Sequence, residues 1–122
     1  MNDKQLENYL KIENEIESLN ARKYKFSTRK VYKRFALKFI KSLLENNIEI
    51  SAFRNITTEN LKQYAKIEIG KGRKIDMIIN ELRGVTYYCN LLNRNKAQHR
   101  RQTLIDLRIL QKWLENMEES GA

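Results

Sequence analysis

The strongest pattern in the chain lies between Ser27 and Leu44. Val31, Phe35, Phe39 and Leu43 fall four apart, and Tyr32, Ala36, Ile40 and Leu44 fill the adjacent row. That spacing predicts an amphipathic helix with a wide apolar face. Ser27 is the expected N-cap, because its hydroxyl can accept from an orphan N–H of the first turn. Asn46 and Asn47 are the expected stop. A second strong pattern, over 73–92, sets Ile75, Ile78, Ile79, Leu82, Val85, Cys89 and Leu92 on one face. Gly84 in its interior costs about 1 kcal/mol against alanine, which predicts that another helix packs closely there. Three weaker patterns complete the chain. Residues 2–20 carry a narrow stripe of Leu6, Tyr9, Leu10, Ile16 and Leu19, interrupted at Glu13. Leu61, Tyr64, Ala65 and Glu68 share one face of a short helix capped by Thr57 or Thr58, with Gly70 as its expected left-handed end. Residues 104–117 carry Leu104, Leu107, Leu110, Leu114 and Met117 on one side. Between the second and third helices, Ile48, Ile50, Phe53 and Ile56 are expected to pin a connection to the core. No stretch alternates with period two, proline is absent and glycine occurs four times. The expected fold class is therefore all-α, with four or five helices.

Composition narrows the function. A chain of 122 residues supports one modest core. No apolar run is long enough to cross a bilayer, and the N-terminus lacks the layout of a signal peptide. The single cysteine, Cys89, excludes an internal disulfide and fits a cytoplasmic protein. It stands on an apolar helix face and reads as a core thiol, while His99 reads as a surface residue. One His and one Cys do not close a zinc site, and Gly70-Lys71-Gly72-Arg73-Lys74 lacks the spacing of a phosphate loop. No nucleophile–base pair is evident, so neither catalysis nor a cofactor is expected.

Charge is the informative quantity. The net charge is +9, which points to a polyanion partner. Every charged residue between Glu17 and Glu45 is a lysine or an arginine. The outer face of the second helix, Arg29, Lys30, Lys33, Arg34, Lys38 and Lys41, has no carboxylate of its own. A solvated helix face ordinarily mixes signs to gain pairs one turn apart. Basic residues gather at 22–41, 71–74 and 94–101, with Tyr24, Tyr32, Tyr87 and Tyr88 nearby to add hydroxyl contacts to phosphate. The apolar faces are taken up by a core, so a membrane surface is not expected. A helical module that binds another protein is the alternative to DNA.

Four segments resemble, in order, the core-binding domain of tyrosine recombinases, the phage and mobile-element integrases. Lys25-Phe26-Ser27-Thr28, Tyr32 and Phe39-Ile40 are similar to its first conserved helix. Ile56-Thr57-Thr58-Glu59-Asn60-Leu61 with Tyr64 resembles the start of its next motif, with Asn55 and Asn60 where Asp is usual. Lys74-Ile75-Asp76, Ile79, Leu82-Arg83 and Tyr87-Tyr88 resemble the third, with Met77 where a basic residue is common. Gln102-Thr103-Leu104-Ile105-Asp106 and Leu110-Gln111-Lys112-Trp113-Leu114-Glu115 are similar to the segment that opens the catalytic domain. The resemblance implies a SAM-like helical bundle over 1–95 that grips duplex DNA at a recombination site, alongside other recombinase protomers. It also implies a basic linker and helix over 96–122 leading to a catalytic domain. The family's arginine, His-x-x-Arg pair and tyrosine nucleophile are not matched: His99 is followed at the third position by Gln102. The chain is thus expected to bind DNA without cutting or joining it, as a domain of a longer integrase or as a stand-alone module. The expected phosphate contacts are Lys23, Lys25, Ser27, Thr28, Arg29, Lys30, Lys33 and Arg34 on one wall of a groove. Lys71, Arg73, Lys74 and Arg83 form the other, with Arg94, Lys96, Arg100 and Arg101 following from the linker.

Overall fold

The second helical pattern is the centre of the molecule. The computed structural model describes residues 1–18, 26–95 and 107–119, with side chains described at 1–18, 28–90 and 108–116. It contains α1 (Asp3–Glu17), α2 (Phe26–Glu45), α3 (Thr58–Gly70), α4 (Ile75–Asn95) and α5 (Leu107–Glu119), with a short 3-10 turn at Phe53–Asn55. No strand occurs among the described residues, so the chain is all-α. No described helix is long and apolar enough to cross a membrane.

Helices α2 and α4 form the most extensive packing pair, and they run antiparallel. Lys38 meets Glu81, Tyr32 and Phe35 meet Gly84, and the Tyr88 hydroxyl donates to the Arg29 carbonyl at 3.3 Å. Gly84 marks the closest approach. A Cβ built there lies 3.1 Å from the Phe35 Cβ and from the Cα and carbonyl oxygen of Tyr32. The core between them holds Ala36, Phe39, Ile40 and Leu43 with Ile78, Leu82 and Val85, all fully buried. Phe39 also meets the Tyr64 ring edge-on, at 5.2 Å between centroids. Toward the start of α2 the apolar rows come to the rim: Val31, Tyr32 and Phe35 are only half-buried.

Helix ends follow from local chemistry. α1 opens on a reciprocal capping box between Asn2 and Gln5, and α3 on one between Thr57 and Asn60. α2 closes where Asn47 adopts φ 62°. The Asn47 N–H bonds the Leu44 carbonyl and the Ile48 N–H that of Leu43, each at 3.0 Å, which is a Schellman end. α3 closes in the same way, but on Gly72 (φ 82°) and not on Gly70. The N–H groups of Gly72 and Arg73 bond the carbonyls of Ile69 and Glu68. Gly70 is the last helical residue, because the left-handed position falls two residues later.

Other expectations change. Ser27 lies inside α2, which begins at Phe26, so it is not the N-cap. α4 starts at Ile75 and continues to Asn95, taking Arg94 into the helix and out of the linker. The buried face of α1 is Asn8, Ile12 and Ile16, while Leu6 and Leu10 stay 45% and 47% exposed. The inward face is polar at its start, where Gln5 Nε2 adds a second hydrogen bond to the Leu44 carbonyl at 2.7 Å. Further along, the Glu15 carboxylate accepts from the Phe53 N–H. Phe53 and Ile50 are buried, so the connection is pinned as expected. α5 lies on α3 and α4, with Leu110 and Leu114 buried in the same cluster as the other helices. Leu104 lies outside the described residues.

Candidate nucleic-acid interface

The antiparallel α2–α4 pair decides which basic residues meet. Arg29, Lys30, Lys33 and Arg34 stand near the start of α2, beside the C-terminal half of α4, where Arg94 occupies the last turn. Lys71, Arg73 and Lys74 stand before the start of α4, beside the later half of α2. At about 1.5 Å per residue, Ile75 and Tyr88 are roughly 20 Å apart along the axis. The two clusters therefore occupy opposite ends of the pair and do not face each other across one groove. Lys23, Lys25, Lys96, Arg100 and Arg101 lie outside the described residues, as do the side chains of Ser27 and Arg94.

The outer face of α2 is less bare than its own sequence suggests, because α1, α4 and the last residue of α2 supply carboxylates. Lys33 pairs with Glu17 of α1. Lys38 Nζ lies 2.6 Å from Glu81 of α4. Lys41 reaches Glu45 one turn along, at 4.0 Å. Arg29 and Thr28 are half-buried, and Arg29 lends its carbonyl to Tyr88. Lys30 and Arg34 remain exposed on adjacent turns, with Arg34 lying over the Phe35 ring at 5.7 Å. Among the described residues neither has a carboxylate within ion-pair distance, and the same holds for exposed Lys74 and Arg83.

Arg73 belongs to a different structure. Its Nη1 bonds Glu81 Oε1 at 2.7 Å and Glu68 Oε2 at 3.2 Å. Glu68 and Glu81 are buried, and the Tyr64 hydroxyl donates to Glu81 at 2.8 Å. Burial alone would raise the Glu81 carboxyl, but donation from Arg73, Lys38 and Tyr64 outweighs it and leaves the group lowered. The Arg73 guanidinium is held more firmly protonated, chiefly by its bond to Glu81. Burial and then the bond to Glu81 push the Tyr64 phenol up. Arg73 thus ties α3 to α4, and Lys71 leans on Glu68 at 3.6 Å. Glu81 signals this in sequence: it falls among Ile78, Leu82 and Val85 at three-and-four spacing, a carboxylate at a core position.

Tyr87 and Tyr88 divide as their adjacency requires. Tyr88 is buried and Tyr87 half-buried, with the Tyr87 ring 5.6 Å from that of Tyr32. Cys89 is a buried thiol whose pKa is pushed up by burial and then by Glu15. No group of three or more His, Cys, Asp or Glu stands close enough to hold a metal among the described residues. No family model matches the chain, and neither a curated protein nor a solved structure matches it at a significant level.

Proposed function

We propose that the chain is a DNA-binding module of the tyrosine-recombinase type, from a phage or mobile-element integrase. In this reading it takes the SAM-like core-binding arrangement, works in the cytoplasm, and grips duplex DNA beside other protomers without performing strand exchange itself. The observation that carries the reading is the charge: every charged residue from Ser18 to Leu44 is basic, and after folding Lys30 and Arg34 still face solvent with no carboxylate in ion-pair range among the described residues. Arg83 on α4 adds a third such cation. Arg73 and Lys33 are left out of the phosphate contacts, because each is engaged by carboxylates of the fold.

The test is duplex binding against salt, read by fluorescence anisotropy. Each phosphate neutralised contributes about −0.9 to the slope of log K against log[salt]. Replacing Lys30, Arg34 and Arg83 by Gln is expected to weaken binding and flatten the slope by about one unit for each phosphate no longer neutralised. Unchanged affinity and slope would remove this face from the interface. A second reading, a helical module that docks on another protein, is favoured by Leu6 and Leu10, one turn apart and exposed on α1. Wild-type protein that binds no duplex at physiological salt would select it.

A further inference from the structure

A second concentration of cations lies on α3, where no DNA contact was expected. Lys62 and Lys66 are one turn apart, and like charges at that spacing repel. Both ammoniums converge on one indole: Lys62 Nζ is 5.1 Å and Lys66 Nζ 5.9 Å from the centroid of Trp113 on α5. Among the described residues no carboxylate lies within ion-pair distance of either lysine, although Glu59 stands one turn before Lys62. Trp113 is half-buried, and Ile109, one turn before it, is 69% exposed. The fold leaves here a pair of cations over an aromatic plane, bordered by bare apolar surface.

We infer that Lys62, Lys66 and Trp113 form a second nucleic-acid contact, in which the two lysines neutralise backbone phosphates and the indole supports the adjoining sugars. This rests on the reading of the chain as a DNA binder and adds a surface to it. The ligand chemistry follows from the parts. Phosphate relieves the repulsion between two ammoniums that have no carboxylate in ion-pair range among the described residues. The apolar plane between them suits the sugar face that alternates with phosphate along the strand. The surface is built by α3 and α5, whereas Lys30 and Arg34 stand on α2, so the chain holds its DNA by two separate sets of cations.

Trp113 is the only tryptophan, so its emission reports this surface directly. Titration of the wild-type chain with duplex DNA is expected to change Trp113 emission with the same midpoint as the anisotropy of labelled duplex. The K62Q/K66Q variant is expected to show a salt slope flatter by about two units, at about 0.9 per phosphate, with its far-UV circular dichroism unchanged. A variant that binds duplex with wild-type affinity and slope overturns the inference and leaves the α2 interface standing. If that variant does not fold, the wild-type titration decides: emission that stays fixed through saturation overturns the inference. A wild-type chain that binds no duplex overturns the proposed function along with it, so the two failures are distinct.

Discussion

Glu81 gathers more of the buried charge than any other residue described, and its neighbours show how strongly side chains here depend on one another. It accepts from Arg73, Lys38 and Tyr64, while Arg73 also holds Glu68 through the same nitrogen. Because Glu81 has its folded pKa lowered, its stabilising contribution is fully present above the unfolded carboxyl value and is lost as pH falls through the folded one. Wild-type stability should therefore not change between pH 7 and pH 5 on its account. Arg73→Ala removes one of the three donors that hold Glu81 down and leaves Lys38 and Tyr64 against burial, and the Glu68 carboxylate loses the cation it shared. What is lost is a contact to ionised carboxylates, so the deficit of the variant is largest where both are charged, at neutral pH. The expected cost at pH 7 is about 3 kcal/mol, the lower end for a broken buried pair, because Arg73 keeps 20% of its side chain exposed. Urea unfolding at neutral pH and again below the ordinary carboxyl range checks this: the deficit should shrink in acid, as the carboxylates are protonated, and a deficit independent of pH would show that Arg73 acts by packing alone.

At the scale of helices, the α2–α4 contact sets the tolerance of the fold. Gly84→Ala gains about 1 kcal/mol of helix propensity. It also drives a methyl against the Phe35 Cβ and the Tyr32 backbone at 3.1 Å, atoms that do not swing aside. Overpacking of this kind costs about 1–3 kcal/mol, so a net loss of up to roughly 2 kcal/mol is expected in chemical denaturation. A stabilised variant would mean that the two helices have room to part. This close approach could be read in advance, since a glycine within a strong helical period has few other uses. The face of α3 was legible for the same reason: Leu61, Tyr64, Ala65 and Glu68 recur at local spacing, and all four are buried. The face of α1 was not. Hydrophobicity favours Leu6 and Leu10 over Gln5 and Asn8, but Gln5 finds a second bond to the Leu44 carbonyl at the end of α2, and that partner is non-local. Glycine chemistry told that α3 ends near Gly70 and Gly72, yet only the backbone decides which of the two takes positive φ. The basic face of α2 was legible as charge and not as an interface, because the carboxylates opposing Lys33 and Lys38 come from α1 and α4.

Across the whole molecule, the position of α5 determines whether the described chain behaves as one cooperative unit. The resemblance implies a bundle over 1–95 and a final helix that leads elsewhere. In the structure Leu110 and Leu114 are 1% and 0% exposed and join Phe39, Leu61 and Leu82 in one hydrophobic cluster. Trp113 docks beside them against α3 through Lys62 and Lys66. A helix that loses so much apolar surface to water when it detaches should not detach before the rest unfolds. Leu114→Ala is expected to cost about 2–5 kcal/mol and Phe39→Ala about 3–5 kcal/mol. Both losses should appear as a shift of the same single transition. The probes separate the alternatives, because Trp113 emission reports α5 while far-UV circular dichroism reports every helix. In a two-state unit the two signals follow one curve. If Trp113 emission changes at lower denaturant while most helical signal remains, or if Leu114→Ala moves only the emission curve, then α5 is an appended segment. Coincident curves that Leu114→Ala and Phe39→Ala shift together would place α5 inside the cooperative core, and the Lys62–Lys66–Trp113 surface would then share the stability of the whole fold.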